Sequence, residues 1–159
     1  MPPHVYIETS IISYLTARTS RNVVVAGRQQ LTRIWWRGRK GYTLCTTELV
    51  IEEASGGDPR ASARRLRALR KVVVFGSTVA AHQLAYDLVR QGALPAKAAD
   101  DALHVAIAAV YNVDFLLTWN CKHIANAALR GTIEEICRSS GFRPPSICTP
   151  DELPFEAPR

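Results

Sequence analysis

The sequence lacks any long apolar run, because no stretch of its 159 residues approaches the ~18 uninterrupted apolar residues of a membrane-spanning helix. The first residues, MPPHVYIETS, contain no basic segment followed by an apolar run, so we expect no secretory signal peptide. Internal repeats, low-complexity segments and an internal linker are lacking too. These absences predict one cytoplasmic domain that does not bind a membrane.

Paired metal-binding cysteines are also lacking. The four cysteines, Cys45, Cys121, Cys137 and Cys148, form no CxxC pair and show no zinc-type spacing. We expect them to be reduced, small core residues, as cysteines in a reducing compartment usually are. His123 follows Cys121 by two residues, which is only a weak indication of a metal pair.

The composition is that of an ordinary globular domain, with 47% hydrophobic and 21% charged residues. The formal net charge is +6. This charge weakly favours an anionic partner such as nucleic acid, although a solvated surface can carry the same excess.

Short apolar runs alternate with segments of helical periodicity along the chain. The runs hold consecutive rather than alternating apolar residues, which is typical of strands covered on both faces. We therefore predict a three-layer α/β/α sandwich with a mainly parallel sheet, in one domain at 1–150 with a loosely attached tail at 151–159. The predicted strands are 4–8, 42–46, 71–75, 114–119 and 145–149, and the predicted helices include 23–37, 58–70, one from Pro95 and 122–139. Thr9 or Ser10 is expected to cap the first helix, and Asp58 the helix at 58–70.

Polar side chains fall where the predicted strands end. In an open parallel sheet the carboxyl ends of the strands meet at one edge, and binding sites form there. We expect acids from three segments and an amide from a fourth to converge at this edge: Glu8, the group Glu48, Glu52 and Glu53, the pair Asp100 and Asp101, and Asn120.

The segment ADDALHVAIAAV (99–110) places Asp101 and His104 on one helical face that is otherwise apolar. Asp100 is rotated by ~100° from this face and is expected to point to solvent. A carboxylate on an apolar face needs a partner, which is either a metal ion or a Lys or Arg side chain.

Carboxylates that lie within a few ångströms of one another cannot all stay ionised unless a cation is among them. Oxygen ligands without a His or Cys set suit Mg²⁺ or Mn²⁺, which activate water and bind phosphate. Each acid also has a simpler interpretation, as part of a helix N-terminus or as a solvated acid in the first turns of a helix. The convergence of separate segments is what favours a metal site.

Four segments together resemble the PIN-domain ribonucleases, and more narrowly the VapC-type toxins of bacterial toxin–antitoxin pairs: VYIETSIISYL, TELVIEEASGGDP, ADDALHVAIAA and FLLTWNCKHIANA. The resemblance covers residues 4–150, and DALHVAIA and LLTWNCKHIAN are its most specific parts. It implies an α/β/α sandwich that cuts RNA with Mg²⁺ or Mn²⁺ held by three or four acids. The implied reaction is in-line attack of a metal-activated water on a phosphodiester, which leaves a 5′-phosphate and a 3′-hydroxyl.

By motif position, the resemblance assigns the catalytic positions to Glu8, Glu53, Asp101 and Asn120, with the three acids as metal ligands. Glu53 is preferred to Glu48 and Glu52 on motif spacing alone, since it follows by six residues the hydroxyl of Thr47 that opens the segment. Hydroxyl residues beside the first and fourth positions match small hydroxyl residues of the family and are candidates for substrate binding: Thr9, Ser10 and Thr118.

The chain departs from the family pattern at two positions. Most members have Asp where this chain has the longer Glu8, and often Asp where it has the neutral Asn120. At most three carboxylates therefore remain among the four positions. This either weakens the binding of a second metal ion or gives a nuclease with low activity or a narrow range of substrates. A catalytically weak or inactive PIN-like module that binds RNA or protein is the alternative, although the three retained acids argue against it. Nuclease activity on DNA is a weaker alternative.

Two histidines have open roles. His104 and His123 are candidates for acid–base groups, but a partly buried histidine whose hydrogen bonds are satisfied is the commoner case.

A basic stripe also has an open role. The segment RASARRLRALRK (60–71) aligns Arg60, Arg64, Arg67 and Lys71 at helical spacing. The stripe either holds RNA phosphates, contacts an acidic partner or is solvated, and Arg64 and Arg67 are the candidates for substrate binding.

The resemblance also implies partners. They are a structured RNA such as tRNA, a VapB-like antitoxin with a segment that enters the acidic groove, and a second copy of the chain in a homodimer.

Overall fold

Five short parallel strands form one sheet at the centre of the molecule. The structure is a computed structural model and describes residues 1–154. The strands are β1 (His4–Ile7), β2 (Thr43–Thr47), β3 (Val73–Phe75), β4 (Phe115–Leu117) and β5 (Ser146–Cys148). Their order in the sheet is β3-β2-β1-β4-β5, and every neighbouring pair is parallel.

Helices cover both faces of this sheet. They are α1 (Thr9–Thr16), α2 (Val23–Gly38), α3 (Glu48–Ala54), α4 (Pro59–Leu69), α5 (Val79–Arg90), α6 (Ala99–Val110) and α7 (Ala127–Ser139). Helix α1 contacts α2, α3 and α4, whereas α5 contacts α6 and α7. The predicted three-layer α/β/α sandwich with a parallel central sheet is therefore confirmed.

The middle strand β1 is the most deeply buried part of the sheet. Val5, Tyr6 and Ile7 have no exposed surface, because strands flank β1 on both sides and helices cover both faces. Tyr6 is aligned with Cys45 of β2 and with Leu116 of β4. The residue after β1 thus emerges between the carboxyl ends of its two neighbours, at the edge predicted to carry the site.

Several element boundaries differ from those predicted. Glu8, rather than Thr9 or Ser10, is the N-cap of α1, since its side chain accepts a hydrogen bond from the backbone N–H of Ser10. The last helix begins at Ala127 instead of 122, because Asn126 caps it. The helix predicted from Pro95 starts as a 3₁₀ turn, Ala96–Ala98, before α6.

The cap predicted for α4 is confirmed. Asp58 Oδ2 accepts a hydrogen bond of 2.9 Å from the N–H of Ala61, and Pro59 occupies the first helical position. Proline is favoured there because it has no N–H to leave unpaired.

Residues 151–154, the described part of the predicted tail, contact the domain. Leu153 is buried, and the Tyr42 hydroxyl donates a hydrogen bond of 2.6 Å to the carbonyl of Pro154. This part of the segment packs against the sandwich, because Leu153 supplies apolar surface to the core. Residues 155–159 of the predicted tail lie outside the described residues.

Three of the four cysteines are core residues, as predicted. Burial raises the pKa of Cys45 and Cys148 to about 12 and that of Cys137 to about 11, so these thiols stay protonated at neutral pH. Cys121 is exposed, which contradicts the expectation for this cysteine. No disulfide links the cysteines, which all lie within the described residues. Within residues 1–154, no helix is both long and apolar enough to cross a bilayer.

Candidate active site

An open cleft of about 540 Å³ lies where the strands end. Four segments contribute to it: the β1–α1 junction, α3, the start of α6 and the loop after β4. The residues that line the cleft are Glu8, Thr9, Ser10, Ser13, Tyr14, Glu53, Asp101, Trp119 and Asn120. All four predicted catalytic positions therefore share one cleft, although the first and last of them, Glu8 and Asn120, lie far apart in the chain.

Glu8 is both a helix cap and a wall of the cleft. Its Oε2 accepts hydrogen bonds from the Ser10 N–H at 3.0 Å, from the Thr118 hydroxyl at 2.8 Å and from the Ser10 hydroxyl. Its Oε1 takes part in no hydrogen bond among residues 1–154. One carboxylate oxygen thus fixes the side chain, and the other is available to a ligand.

Glu53 is the member of the α3 group that lies in the cleft. Glu48 and Glu52 are exposed and do not line it, so the choice made on motif spacing agrees with the geometry. Glu53 Oε1 accepts hydrogen bonds from the Thr9 hydroxyl at 2.9 Å and from His104 Nε2 at 2.7 Å. Burial raises the pKa of Glu53. The hydrogen bond and the charge of His104, together with the hydrogen bond from Thr9, lower this pKa by more than burial raises it, so the net shift is downward. Glu53 is therefore held as a carboxylate.

His104 is fully buried, rather than partly buried as predicted. Its Nδ1 lies 2.6 Å from the Tyr6 hydroxyl, which lies 2.9 Å from the Thr47 hydroxyl. Burial lowers the pKa of His104, but the hydrogen bond that its ring donates to Glu53 and the charges of Glu8, Glu53 and Asp101 raise it above its ordinary value. Both ring nitrogens have partners, so His104 is a satisfied histidine that also contacts a cleft carboxylate.

Asp101 pairs with a histidine. Its Oδ2 lies 2.9 Å from His123 Nδ1, so a Lys or Arg partner was the wrong expectation for this oxygen. The side chain is 22% exposed, because it reaches the cleft rather than the core. Asp100 is exposed to solvent, as predicted.

Asn120 organises the loop after β4. Its side-chain Oδ1 accepts a hydrogen bond of 3.1 Å from the backbone N–H of His123. Its backbone N–H donates a hydrogen bond of 2.9 Å to the Thr118 hydroxyl. Thr118 is fully buried and does not line the cleft. The hydroxyl of Thr118, a predicted substrate-binding residue, holds Glu8 instead of facing the cleft.

The two predicted substrate-binding arginines lie away from the cleft. Arg64 Nε donates a hydrogen bond of 3.3 Å to the carbonyl of Thr16, at the end of α1 opposite to Glu8. Arg67 is exposed, and neither arginine lines the cleft. A role in RNA binding would have to be on the surface of α4 rather than at the carboxylates.

Several residues of the site were not predicted from the sequence. Ser13 and Tyr14 line the cleft, and their spacing of three and four residues from Ser10 on a helix is a signal that could have found them. Tyr6 was read only as an apolar strand residue, but a buried tyrosine hydroxyl needs a hydrogen-bond partner, which is a signal for a polar contact. The pairing of His123 with Asp101 has no such signal, because it depends on the loop conformation.

The cleft offers carboxylate oxygens, the kind of ligand that hard divalent cations prefer. Glu8, Glu53 and Asp101 each use one oxygen for hydrogen bonds, and no hydrogen bond among residues 1–154 involves the other. Within the same residues, no group of three or more His, Cys, Asp or Glu side chains is placed so that it could hold a metal ion. An open set of carboxylates suits Mg²⁺, which usually keeps waters and binds one or two carboxylates together with substrate phosphates.

Comparison with known proteins supports the fold. The chain is similar to the crystal structure of Mycobacterium tuberculosis VapC20, a sarcin–ricin-loop-cleaving toxin, with a TM-score of 0.59 and 16% sequence identity over 77% of this chain and 95% of that one. It is also similar to a chain of VapBC2 from Rickettsia felis, solved bound to a DNA fragment from their promoter, with a TM-score of 0.54 and 13% identity over 92% of this chain and 98% of that one. No protein-family model matches the sequence, and no curated protein matches it significantly. The chain thus has the PIN-like fold of these VapC structures.

Proposed function

We propose that the protein is a divalent-metal-dependent endoribonuclease and the toxin of a toxin–antitoxin pair. The observation that carries the proposal is the convergence of Glu8, Glu53 and Asp101 in one cleft beside Asn120. These residues come from four separate segments of a PIN-like fold, and none of the three carboxylates is paired with a Lys or Arg within the described residues.

The three carboxylates would hold Mg²⁺ or Mn²⁺ through the oxygens that have no hydrogen bond. When bound, such an ion activates water and stabilises charge on phosphoryl oxygens. The protein orients its ligands beforehand: Ser10 fixes Glu8, Thr9 fixes Glu53, and His123 fixes Asp101. Ligands held in this way give stronger metal binding than free side chains do.

The substrate would lie along the wall of the cleft formed by α1. Thr9, Ser13 and Tyr14 line this wall and supply hydroxyl groups, and Tyr14 is an aromatic side chain that is partly exposed. Single-stranded RNA is recognised through hydrogen bonds and stacking on aromatic residues. We therefore propose RNA, with unpaired nucleotides at the cut, as the substrate class, and leave tRNA as one example.

The alternative is a PIN-like module that binds RNA or protein without cutting. The observation that favours it is at Asn120, which is neutral and whose Oδ1 is already engaged by the N–H of His123. The fourth position therefore supplies no charge to a cation, which leaves three carboxylates for the reaction.

Cleavage by matched variants tests the proposal. We expect purified, antitoxin-free protein to cut RNA with Mg²⁺ or Mn²⁺ and not with EDTA. Asp101→Asn removes a cleft charge and should lower the cleavage rate at least about 100-fold, whereas Asp100→Asn, one residue away but exposed, should leave it unchanged. The measurement is the initial rate on a labelled RNA, with circular dichroism to verify folding. Failure of the folded wild-type protein to cut with either metal would favour the binding module.

The same proposal includes protein partners. We propose a VapB-like antitoxin that occupies the cleft and a homodimer of the 17.6-kDa chain. Exposed apolar side chains on α2 and β3, among them Val23, Val24, Val73 and Val74, give the described surface the apolar area that protein contacts use. Copurification with the product of a neighbouring reading frame, followed by mass determination, tests both parts.

A further inference from the structure

We propose that Tyr6 and His104 are positioning residues, which through a buried chain of hydrogen bonds fix the orientation of Glu53 and leave it one oxygen for the metal. The inference rests on the proposed function, because it assumes that Glu53 is a ligand. It concerns two buried residues that do not line the cleft.

The chain of contacts crosses three elements. Thr47, at the end of β2, contacts the hydroxyl of Tyr6 in β1, which contacts Nδ1 of His104 in α6. His104 Nε2 then reaches Glu53 in α3. Tyr6, Thr47 and His104 have no exposed surface, so water does not compete for these bonds.

The direction of the last bond follows from elementary chemistry. An ionised carboxylate only accepts hydrogen bonds, so His104 Nε2 must donate to Glu53 Oε1. A neutral imidazole with its proton on Nε2 and a charged imidazolium both provide this N–H. The positioning role therefore does not depend on the protonation state of His104.

Two donors on one oxygen restrict what Glu53 can do. Its Oε1 accepts from both His104 and Thr9, which leaves Oε2 as the oxygen available to the cleft. A free glutamate can rotate or bind a cation through both oxygens. Glu53 is instead prepared as a ligand that uses one oxygen, which suits the octahedral geometry that Mg²⁺ demands.

A purely structural role explains the arrangement less well. The face of α6 around His104 is apolar, and Val105 and Ala108 on it are fully buried. An apolar side chain there would avoid the cost of burying an imidazole. The polar chain also runs from the end of β2 to a cleft carboxylate, instead of closing on itself in the core.

Three variants and one control test the inference. His104→Leu removes the donor to Glu53, His104→Gln keeps an amide N–H of similar reach, and Tyr6→Phe removes the hydroxyl that holds the ring. His82→Gln changes an exposed histidine of α5 that takes no part in the chain of contacts and is the control. The measurements are Mn²⁺ affinity by isothermal titration calorimetry without RNA, and the melting temperature of each metal-free variant.

We expect His104→Leu to bind Mn²⁺ about 10-fold more weakly than wild type, as is usual when a residue that orients a metal ligand is lost. Tyr6→Phe should weaken binding less, His104→Gln should restore most of it, and His82→Gln should match wild type. A structural role alone would lower the melting temperatures and leave the Mn²⁺ affinity unchanged, which would overturn the inference.

Other outcomes are also decisive. If His104→Leu does not fold, unchanged Mn²⁺ affinity in Tyr6→Phe overturns the inference, and weakened affinity supports it. Wild-type protein that binds no Mn²⁺ would overturn the proposed function and this inference together. Wild-type binding with unaffected variants would overturn only the inference.

Discussion

Glu53 and His104 are a pair of residues whose pKa values move in opposite directions. The pKa of Glu53 is lowered from its ordinary value of 4.5, and that of His104 is raised from 6.5. The contribution of Glu53 to folding is present above pH 4.5 and is lost as the pH falls through its lowered folded value. The contribution of His104 is complete below pH 6.5 and is lost as the pH rises through its raised folded value.

The pH dependence of metal-free stability follows from these directions. Between pH 4.5 and 6.5 both contributions are complete, so we expect the largest difference in free energy of unfolding between wild type and His104→Gln in this window. The difference should shrink as the pH rises above 6.5. Urea unfolding at a series of pH values, with EDTA present, measures it. A difference that grows between pH 7 and 9 would contradict the direction given for His104.

Among the elements, α1 depends on a residue that also belongs to the cleft. Its N-cap is Glu8, where Ser, Thr, Asp and Asn are the usual choices. The longer side chain folds back so that Oε2 reaches the N–H of Ser10 while Oε1 remains available in the cleft. The carboxylate of Glu8 is thus both the N-cap of α1 and a candidate metal ligand.

Substitutions of Glu8 should separate these two roles. Glu8→Gln keeps a carbonyl oxygen for the Ser10 and Thr118 bonds, so we expect little loss of stability, but it puts a neutral amide in the cleft and should abolish cleavage. Glu8→Ala should in addition cost about 1 kcal/mol, as the loss of an N-cap usually does. Asp58→Ala is the matched control: a similar loss of stability at α4 with normal cleavage. Thermal unfolding measures the stability of each variant, and RNA cleavage measures its activity. Full cleavage activity in Glu8→Gln would show that Glu8 is not a catalytic residue.

The same elements show how much the sequence reveals. Consecutive apolar runs predicted the strands, and the rule for parallel sheets brought Glu8, Asp101 and Asn120 to one edge. The N-cap of α1 was missed because propensity favours the hydroxyls of Thr9 and Ser10 over Glu8. The start of α7 was missed because the loop from Asn120 to Asn126 is held by backbone and side-chain bonds that helical periodicity does not reveal.

The contacts within the site were less predictable than its location. Tyr6 and His104 are 98 residues apart in the chain, and His104 and Glu53 are 51 apart. Such pairs depend on the register of the sheet and the rotation of α6, which one sequence does not specify. Thr118 was assigned to substrate for the same reason, since its burial between Glu8 and Asn120 arises only in three dimensions.

For the whole molecule, the net charge of +6 coexists with a cleft lined by three carboxylates. Basic side chains must therefore lie outside the cleft, and the exposed Arg60 and Arg67 of α4 are among them. An RNA strand would be held by these cations at a distance from the point of cutting. Binding and cleavage should then respond to different substitutions.

Salt dependence tests this division. The Asp101→Asn variant, in which we expect the cleavage rate to be at least about 100-fold lower, should bind RNA more weakly as KCl rises, because the release of counterions on binding is less favourable at high salt. If Arg67 contacts one phosphate, Arg67→Ala should reduce the slope of log K against log salt by about 0.7, the value per contact for single strands. Fluorescence anisotropy at several salt concentrations measures it. An unchanged slope would remove Arg67 from the RNA-binding surface and favour the solvated interpretation of the stripe.

The central position of β1 bears on how the protein is made in the cell. Strand β1 leaves the ribosome before the other four described strands, but Glu8 meets Thr118 only after a further 110 residues have been added. At about 5–20 residues per second, this interval lasts roughly 5–20 s, and a domain of this kind folds as a unit once its strands are available. Under the proposed function, a nascent chain would therefore be unable to cut RNA, including the message from which it is being translated. If the chain is the toxin that we propose, an antitoxin translated beforehand would be present when the cleft first forms.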